Sequence, residues 1–201
     1  MSEKHNSEKF YRKLFGIFDL KLLKEGFIFS KIWWLVDAKY RRKSRLDTHL
    51  LYQLLSPGKE VLELADQLHK TTRDETACNI RNWVIRNITY RTEKQELWKT
   101  AEQTIRDGFG DCDDMNNIVV ILCRLSGITQ YQIYSAIGSM PNGGHFWPMY
   151  YSTTLRKTVS LDTCYYPKKG AIKSLKPFNE LEYHKTIWYI FNDEITIKPL
   201  R

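Results

Sequence analysis

The sequence predicts an α+β domain, helices first and an antiparallel sheet after them, because the hydrophobic period changes once along the chain. Apolar residues recur at helical intervals from Leu50 to Leu125. Ser126-Gly127 then supplies a helix stop, and from Tyr131 onward the apolar residues gather in short extended runs. With 42% hydrophobic and 13% aromatic residues in 201, the chain has ample material for a packed core.

In chain order, residues 9–56 read as two or three short helices, with Leu50, Leu51, Leu54 and Leu55 at helical spacing. Ser56-Pro57-Gly58 breaks the pattern and marks the expected boundary between a basic helical extension, 1–57, and the main domain, 58–201. Lys59 to Lys70 forms the next helix, with Val61, Leu62, Leu64, Ala65 and Leu68 on its apolar face. Thr72 caps a further helix, and Glu75 completes a capping box. Along it Ala77, Ile80, Val84 and Ile88 form a buried stripe bordered by Trp83, while Asn82, Arg86 and Asn87 face solvent. Tyr90 falls in a short extended piece. A short helix after Trp98 leads to the glycines before Cys112, and Met115, Ile118, Val119, Leu122 and Leu125 describe the helix that follows. Strands are expected over 131–137, 145–151 and 158–161, with a last over 188–191.

The net charge of +8 is unevenly placed. Residues 1–46 hold 12 Lys/Arg against 5 Asp/Glu, or +7; residues 47–167 hold 12 against 14, or −2; residues 168–201 hold 7 against 4, or +3. The densest basic cluster is Lys39, Arg41, Arg42, Lys43 and Arg45. It reads either as a solvated helical face or as a dock for an anionic partner such as nucleic acid or an acidic protein. The apolar run from Phe27 to Val36 is interrupted by Ser30 and Lys31 and falls short of the roughly 20 residues that span a bilayer. No secretory pattern is visible at the start, so a cytoplasmic location is expected. Cys78, Cys112, Cys123 and Cys164 form no Cys-x-x-Cys pair, which argues for free thiols over a disulfide framework or a structural zinc.

The densest chemical signal is Gly108-Phe109-Gly110-Asp111-Cys112-Asp113-Asp114. Gly143-Gly144-His145-Phe146-Trp147 follows, its histidine 33 positions on (145 − 112), and Val159-Ser160-Leu161-Asp162 places an aspartate 17 further (162 − 145). A cysteine opening a helix, then a histidine and an aspartate on successive apolar runs, is the inventory of a thiol nucleophile, its base and the base's orienter.

These motifs, in this order, resemble the transglutaminase-like superfamily of cysteine enzymes, which contains transglutaminases, cysteine peptidases and peptide N-glycanases. The resemblance runs from roughly Glu60 to Pro167. It implies a papain-like/transglutaminase-like core, with the nucleophile-bearing helix packed on an antiparallel sheet. It also implies a catalytic domain over 58–201 and a Cys112–His145–Asp162 triad acting on peptide or protein amides without a cofactor. Hydrolysis by a cysteine peptidase or amidase is the favoured reading, since the chain lacks the extra domains and evident calcium loops of the large transglutaminases. A crosslinking transglutaminase is the alternative, and a non-catalytic binding or structural protein retaining the fold is a further one. Thr163-Cys164 after Asp162 departs from the Pro-Thr or similar residues that family members more often carry there.

A cysteine at a helix start is expected to have a lowered pKa, and pairing with His145 would lower it further. Asp111, Asp113 and Asp114 oppose this unless they turn away as helix caps, which is the expected role of all three. The Cys112 N–H is one oxyanion donor by position. Gln103 and Trp98 qualify by chemistry as the second, although Trp98 suits a core anchor better. Cys123 is expected to be buried and Cys164 to approach the site, while His5, His49, His69 and His184 read as surface residues.

Overall fold

The structure, a computed structural model, describes residues 45–92, 98–140, 143–165, 169–175, 186–194 and 196–197. Lys39, Arg41, Arg42 and Lys43 lie outside the described residues, as do His5, His184 and most of the expected extension. Among the described residues five helices come first: α1 (Arg45–Leu55), α2 (Lys59–Leu68), α3 (Arg73–Asn87), α4 (Ala101–Asp107) and α5 (Cys112–Leu125). Two short strands, β1 (Thr89–Tyr90) and β2 (Phe109–Gly110), flank α4 and pair in parallel. Strands β3 (Ile133–Met140), β4 (Gly143–Ser152), β5 (Lys157–Ser160), β6 (Thr186–Phe191) and β7 (Thr196–Ile197) build an antiparallel sheet in the order β5-β4-β3-β6-β7. The fold is α+β, as the change of period predicts. Among the described residues no helix is long and apolar enough to cross a membrane.

The capping box at Thr72 and Glu75 forms as expected, and Ala77, Ile80, Val84 and Ile88 are buried. Asn82 departs from expectation. Its amide clasps Gly170, donating to that residue's carbonyl and accepting from its N–H. Strand β3 begins two residues later than predicted, because Gln132 closes a turn onto Thr129. It runs on to Met140 because β4 pairs with it on one side and β6 on the other.

Helix α5 lies at the centre. Its Ile118, Val119, Ile121, Leu122 and Cys123 are buried in the main core, together with Phe146 and Tyr150 of β4. Trp147 and Met149 of β4 join a smaller cluster with Tyr134, Ala136 and Ile190. Asp74 ties α3 to the sheet by accepting from Tyr150 Oη (2.7 Å), Ser152 Oγ (2.8 Å) and Thr154 N (3.0 Å). Arg124 at the end of α5 grips Asp193 with two nitrogens, at 2.9 and 2.8 Å. Such a fork is the stronger form of ion pair.

Helix α1, assigned by the Ser56-Pro57-Gly58 break to the extension, packs into the domain. Leu50 is buried in the main core. Gln53 Oε1 accepts from Ala101 N (2.7 Å) and from Asn117 Nδ2 (3.1 Å), joining α1 to both α4 and α5. The break is a turn between two packed helices. A proline-glycine pair punctuates the chain locally and carries no information about what the flanking helices touch.

Candidate active site

Cys112 is the first residue of α5, held there by what precedes it. Gly108 ends α4 in the left-handed region (φ 74°), a conformation that costs a glycine little. At Gly110 a Cβ would lie 2.5 Å from the Asp114 Cβ, so only glycine lets the chain pass into the helix start. Pairing of Tyr90 with Gly110 across β1 and β2 holds this approach in place.

His145 on β4 and Asp162 in the loop after β5 come together. His145 Nε2 lies 2.8 Å from Asp162 Oδ2, and the two side chains are 1% and 0% exposed. Since an ionised carboxylate only accepts, Nε2–H is the donor. The other oxygen, Oδ1, accepts from Cys164 N (2.8 Å) and Tyr165 N (3.3 Å). Asp162 is thus fixed by the loop after it, even though Thr163-Cys164 stands where the family resemblance led us to expect something else. Beneath, the buried Arg81 donates from Nε to the Asp162 carbonyl at 3.1 Å. The His145 ring is stacked near Trp147 (centroids 5.8 Å apart) and meets the edge of Tyr165 (4.6 Å). Gly144 is exposed, with the Trp188 ring 3.4 Å from where a Cβ would stand.

The electrostatics around the sulfur differ from the expectation. Burial, the largest effect, pushes the Cys112 thiol up to about 12; the Phe146 backbone opposes this, while Asp113, Asp111 and Asp162 add to it. The three aspartates are not helix caps. Asp111 occupies the cap position with no side-chain cap bond. Asp114 is fully buried, accepts from Lys99 N (3.0 Å), and has its pKa raised chiefly by burial. Burial, then the neighbouring Asp111, raises Asp113 to about 9. Among the described residues Asp111, Cys112 and Asp113 are the group whose ligand atoms could share a metal ion, all within 4.8 Å of one another.

The other candidates resolve simply. Gln103 is the capping-box partner of Thr100, and Trp98 packs edge-on against Phe146, so neither is placed as an oxyanion donor. Cys123 is buried. Cys164 is half-buried in the loop after Asp162, with its Sγ 3.7 Å from Asn116 Nδ2. His69 is exposed, whereas His49 is half-buried with its ring edge-on to Trp98, and burial lowers its pKa. Sequence reasoning missed Arg81 and Asn116, both polar residues within helices and both almost completely buried.

A family model of the transglutaminase-like superfamily matches residues 62–162, just over half the chain and all three motifs. The chain belongs to that superfamily. Solved structures agree on the fold. Legionella pneumophila LapG superposes with a TM-score of 0.57 at 17% identity, over 76% of this chain and 87% of that one. Its calcium-bound form gives 0.57 at 18% identity, over 84% and 87%. No curated protein matches the sequence. The transglutaminase-like core expected from the motifs is therefore the observed one, with the cysteine-bearing helix laid on the antiparallel sheet.

Proposed function

We propose that the protein is a cysteine-nucleophile acyl-transfer enzyme acting on peptide or protein amides, with Cys112 as nucleophile, His145 as base and Asp162 as orienter. The observation that carries this is the buried His145–Asp162 hydrogen bond next to a helix that opens with a cysteine. With Nε2 committed to Asp162, Nδ1 is the atom that exchanges the proton with sulfur. A thiol held near 12 rests neutral, so His145 takes the proton as the Sγ–carbon bond forms, instead of waiting beside a thiolate. The carbonyl oxygen gains the negative charge and meets the Cys112 N–H at the helix start. The C–N bond then breaks as the imidazolium protonates the leaving amine, giving a thioester. Water, deprotonated by His145, attacks that thioester, releases the acid and restores the thiol. An amine in place of water would make the same site a transglutaminase.

Selective labelling tests this reading. At neutral pH iodoacetamide should modify Cys112 faster than Cys78, Cys123 or Cys164. Burial raises the Cys78 and Cys164 thiols as it does Cys112, so the difference rests on the base: in this reading neither has one beside it. The Cys112 rate should drop in His145→Ala. Equal labelling of Cys112 and Cys164, or no effect of His145→Ala, would count against an activated nucleophile.

We propose also that the Asp111–Asp113 pair holds either a shared proton or a hard cation of the kind named with calcium-bound LapG. A cation there would supply positive charge beside the sulfur. Asp113 shifts from 3.8 to about 9 on folding, so the native state binds more protons between those values. Its contribution to stability is complete below pH 4 and is lost as pH rises through 9. Asp113→Asn should therefore melt several degrees above the native chain at pH 9, given about 2–4 °C per kcal/mol at this size, and converge with it near pH 4. Calcium should raise the melting temperature of the native chain but not of Asp113→Asn. A difference that is constant with pH, with no calcium effect, would rule out both roles.

A further inference from the structure

We infer that Asn116 is a positioning residue that holds the three parts of the active site in register. The inference rests on the acyl-transfer reading above. Asn116 lies four residues after Cys112, on the same face of α5. It is 0% exposed, and its amide is spent on the two segments that carry the other candidates. Nδ2 donates to the Phe146 carbonyl at 2.7 Å, one residue beyond His145. Oδ1 accepts from Thr163 N at 3.0 Å and from Thr163 Oγ1 at 2.9 Å, one residue beyond Asp162. Nδ2 also lies 3.7 Å from Cys164 Sγ.

One side chain thus joins the nucleophile helix, the base strand and the orienter loop. Its chemistry suits the task. An amide presents a donor and an acceptor in one plane, so it can bridge a carbonyl on one side and an N–H on the other. Leucine would fill the space and alanine would leave part of it empty, and either would leave the Phe146 carbonyl and the Thr163 N–H without this partner. A carboxylate would repel the carbonyl. The consequence is geometric: without Asn116, β4 and the 162–165 loop are no longer tied to the turn that carries Cys112. A shift of about 1 Å between reacting groups is enough to cost on the order of 10²-fold in rate.

The test uses p-nitrophenyl acetate as an acylating probe, read by p-nitrophenolate release and by the acetyl mass on Cys112. In the native chain the acylation rate should follow pH with an inflection that reports base catalysis. In His145→Ala that inflection should vanish, leaving a rate that only climbs as the thiol ionises. Asn116→Ala should lose about 10²-fold in acylation rate and show the His145→Ala profile. Thr163→Val, which removes only the Oγ1–H donor, should give a smaller loss. Should Asn116→Ala fail to fold, Thr163→Val decides alone. An unaltered rate and inflection in whichever of these folds overturns the inference, and a merely structural role would lower the melting temperature while leaving the inflection in place. If His145→Ala itself keeps the native profile, the catalytic reading fails first and takes this inference with it.

Discussion

Under the proposed mechanism Cys112→Ala is expected to eliminate amide turnover, a loss on the order of 10⁶-fold, while the protein keeps its fold. The size follows from the non-additive character of a nucleophile and base that act as one unit: removing either costs about as much as removing both. His145→Ala is accordingly expected to match it, and Asp162→Ala to cost less, on the order of 10⁴-fold, since the base survives without its orienter. Cys112 is half-buried in the first turn of α5 and packs against the main core, and alanine there removes only its sulfur atom. Asp162→Ala differs in also stripping the partner from Cys164 N and Tyr165 N, so its activity loss has to be read beside its melting curve. Substantial turnover by well-folded Cys112→Ala would remove the nucleophile assignment.

Arg81→Met is expected to be the most destabilising single change in the helical layer. Arg81 is 1% exposed, and the Asp162 charge is the principal favourable influence on its guanidinium. Methionine replaces most of the volume but neither the charge nor the Nε–H bond to the Asp162 carbonyl. Removing one partner of a buried charge pair costs about 3–5 kcal/mol. In a domain of this size that corresponds to a fall of roughly 6–20 °C in melting temperature. Calorimetry of the purified variant checks it, and a shift below about 2 °C would mean Arg81 is not balancing Asp162. Turnover should fall as well, because the loop that orients His145 rests on this arginine.

The parts of the site carried by local chemistry were legible in the sequence. A cysteine after two glycines at a helix start, a histidine after two more, and an aspartate ending an apolar run stand out by spacing and neighbours as candidates, and the structure joins the last two by a hydrogen bond. Arg81 and Asn116 do not. Each lies inside an amphipathic helix, where a polar residue ordinarily marks the solvated face, and each finds its partner far along the chain, 81 residues away for Arg81 and 47 for Asn116. The same limit explains α1: a Pro-Gly break is a local signal, whereas the insertion of Gln53 between Ala101 and Asn117 is a tertiary event. A chain beginning at Pro57 would lose Leu50 from the core, and is expected to be unstable rather than to retain a reactive thiol. The thiol's electrostatics were the other miss. A helix start argues for a lowered pKa only while the sulfur stays solvated, and here burial outweighs the helix end.

In the proposed mechanism Cys112 forms a thioester through His145. Intact-protein mass spectrometry after a millisecond quench with p-nitrophenyl acetate measures this directly. The expected result is a single acetyl group on the native chain, located by peptide mapping to Cys112 and absent from Cys112→Ala and His145→Ala under the same quench. Acetylation distributed over Cys164 or lysines, or equal labelling of the native chain and His145→Ala, would contradict it.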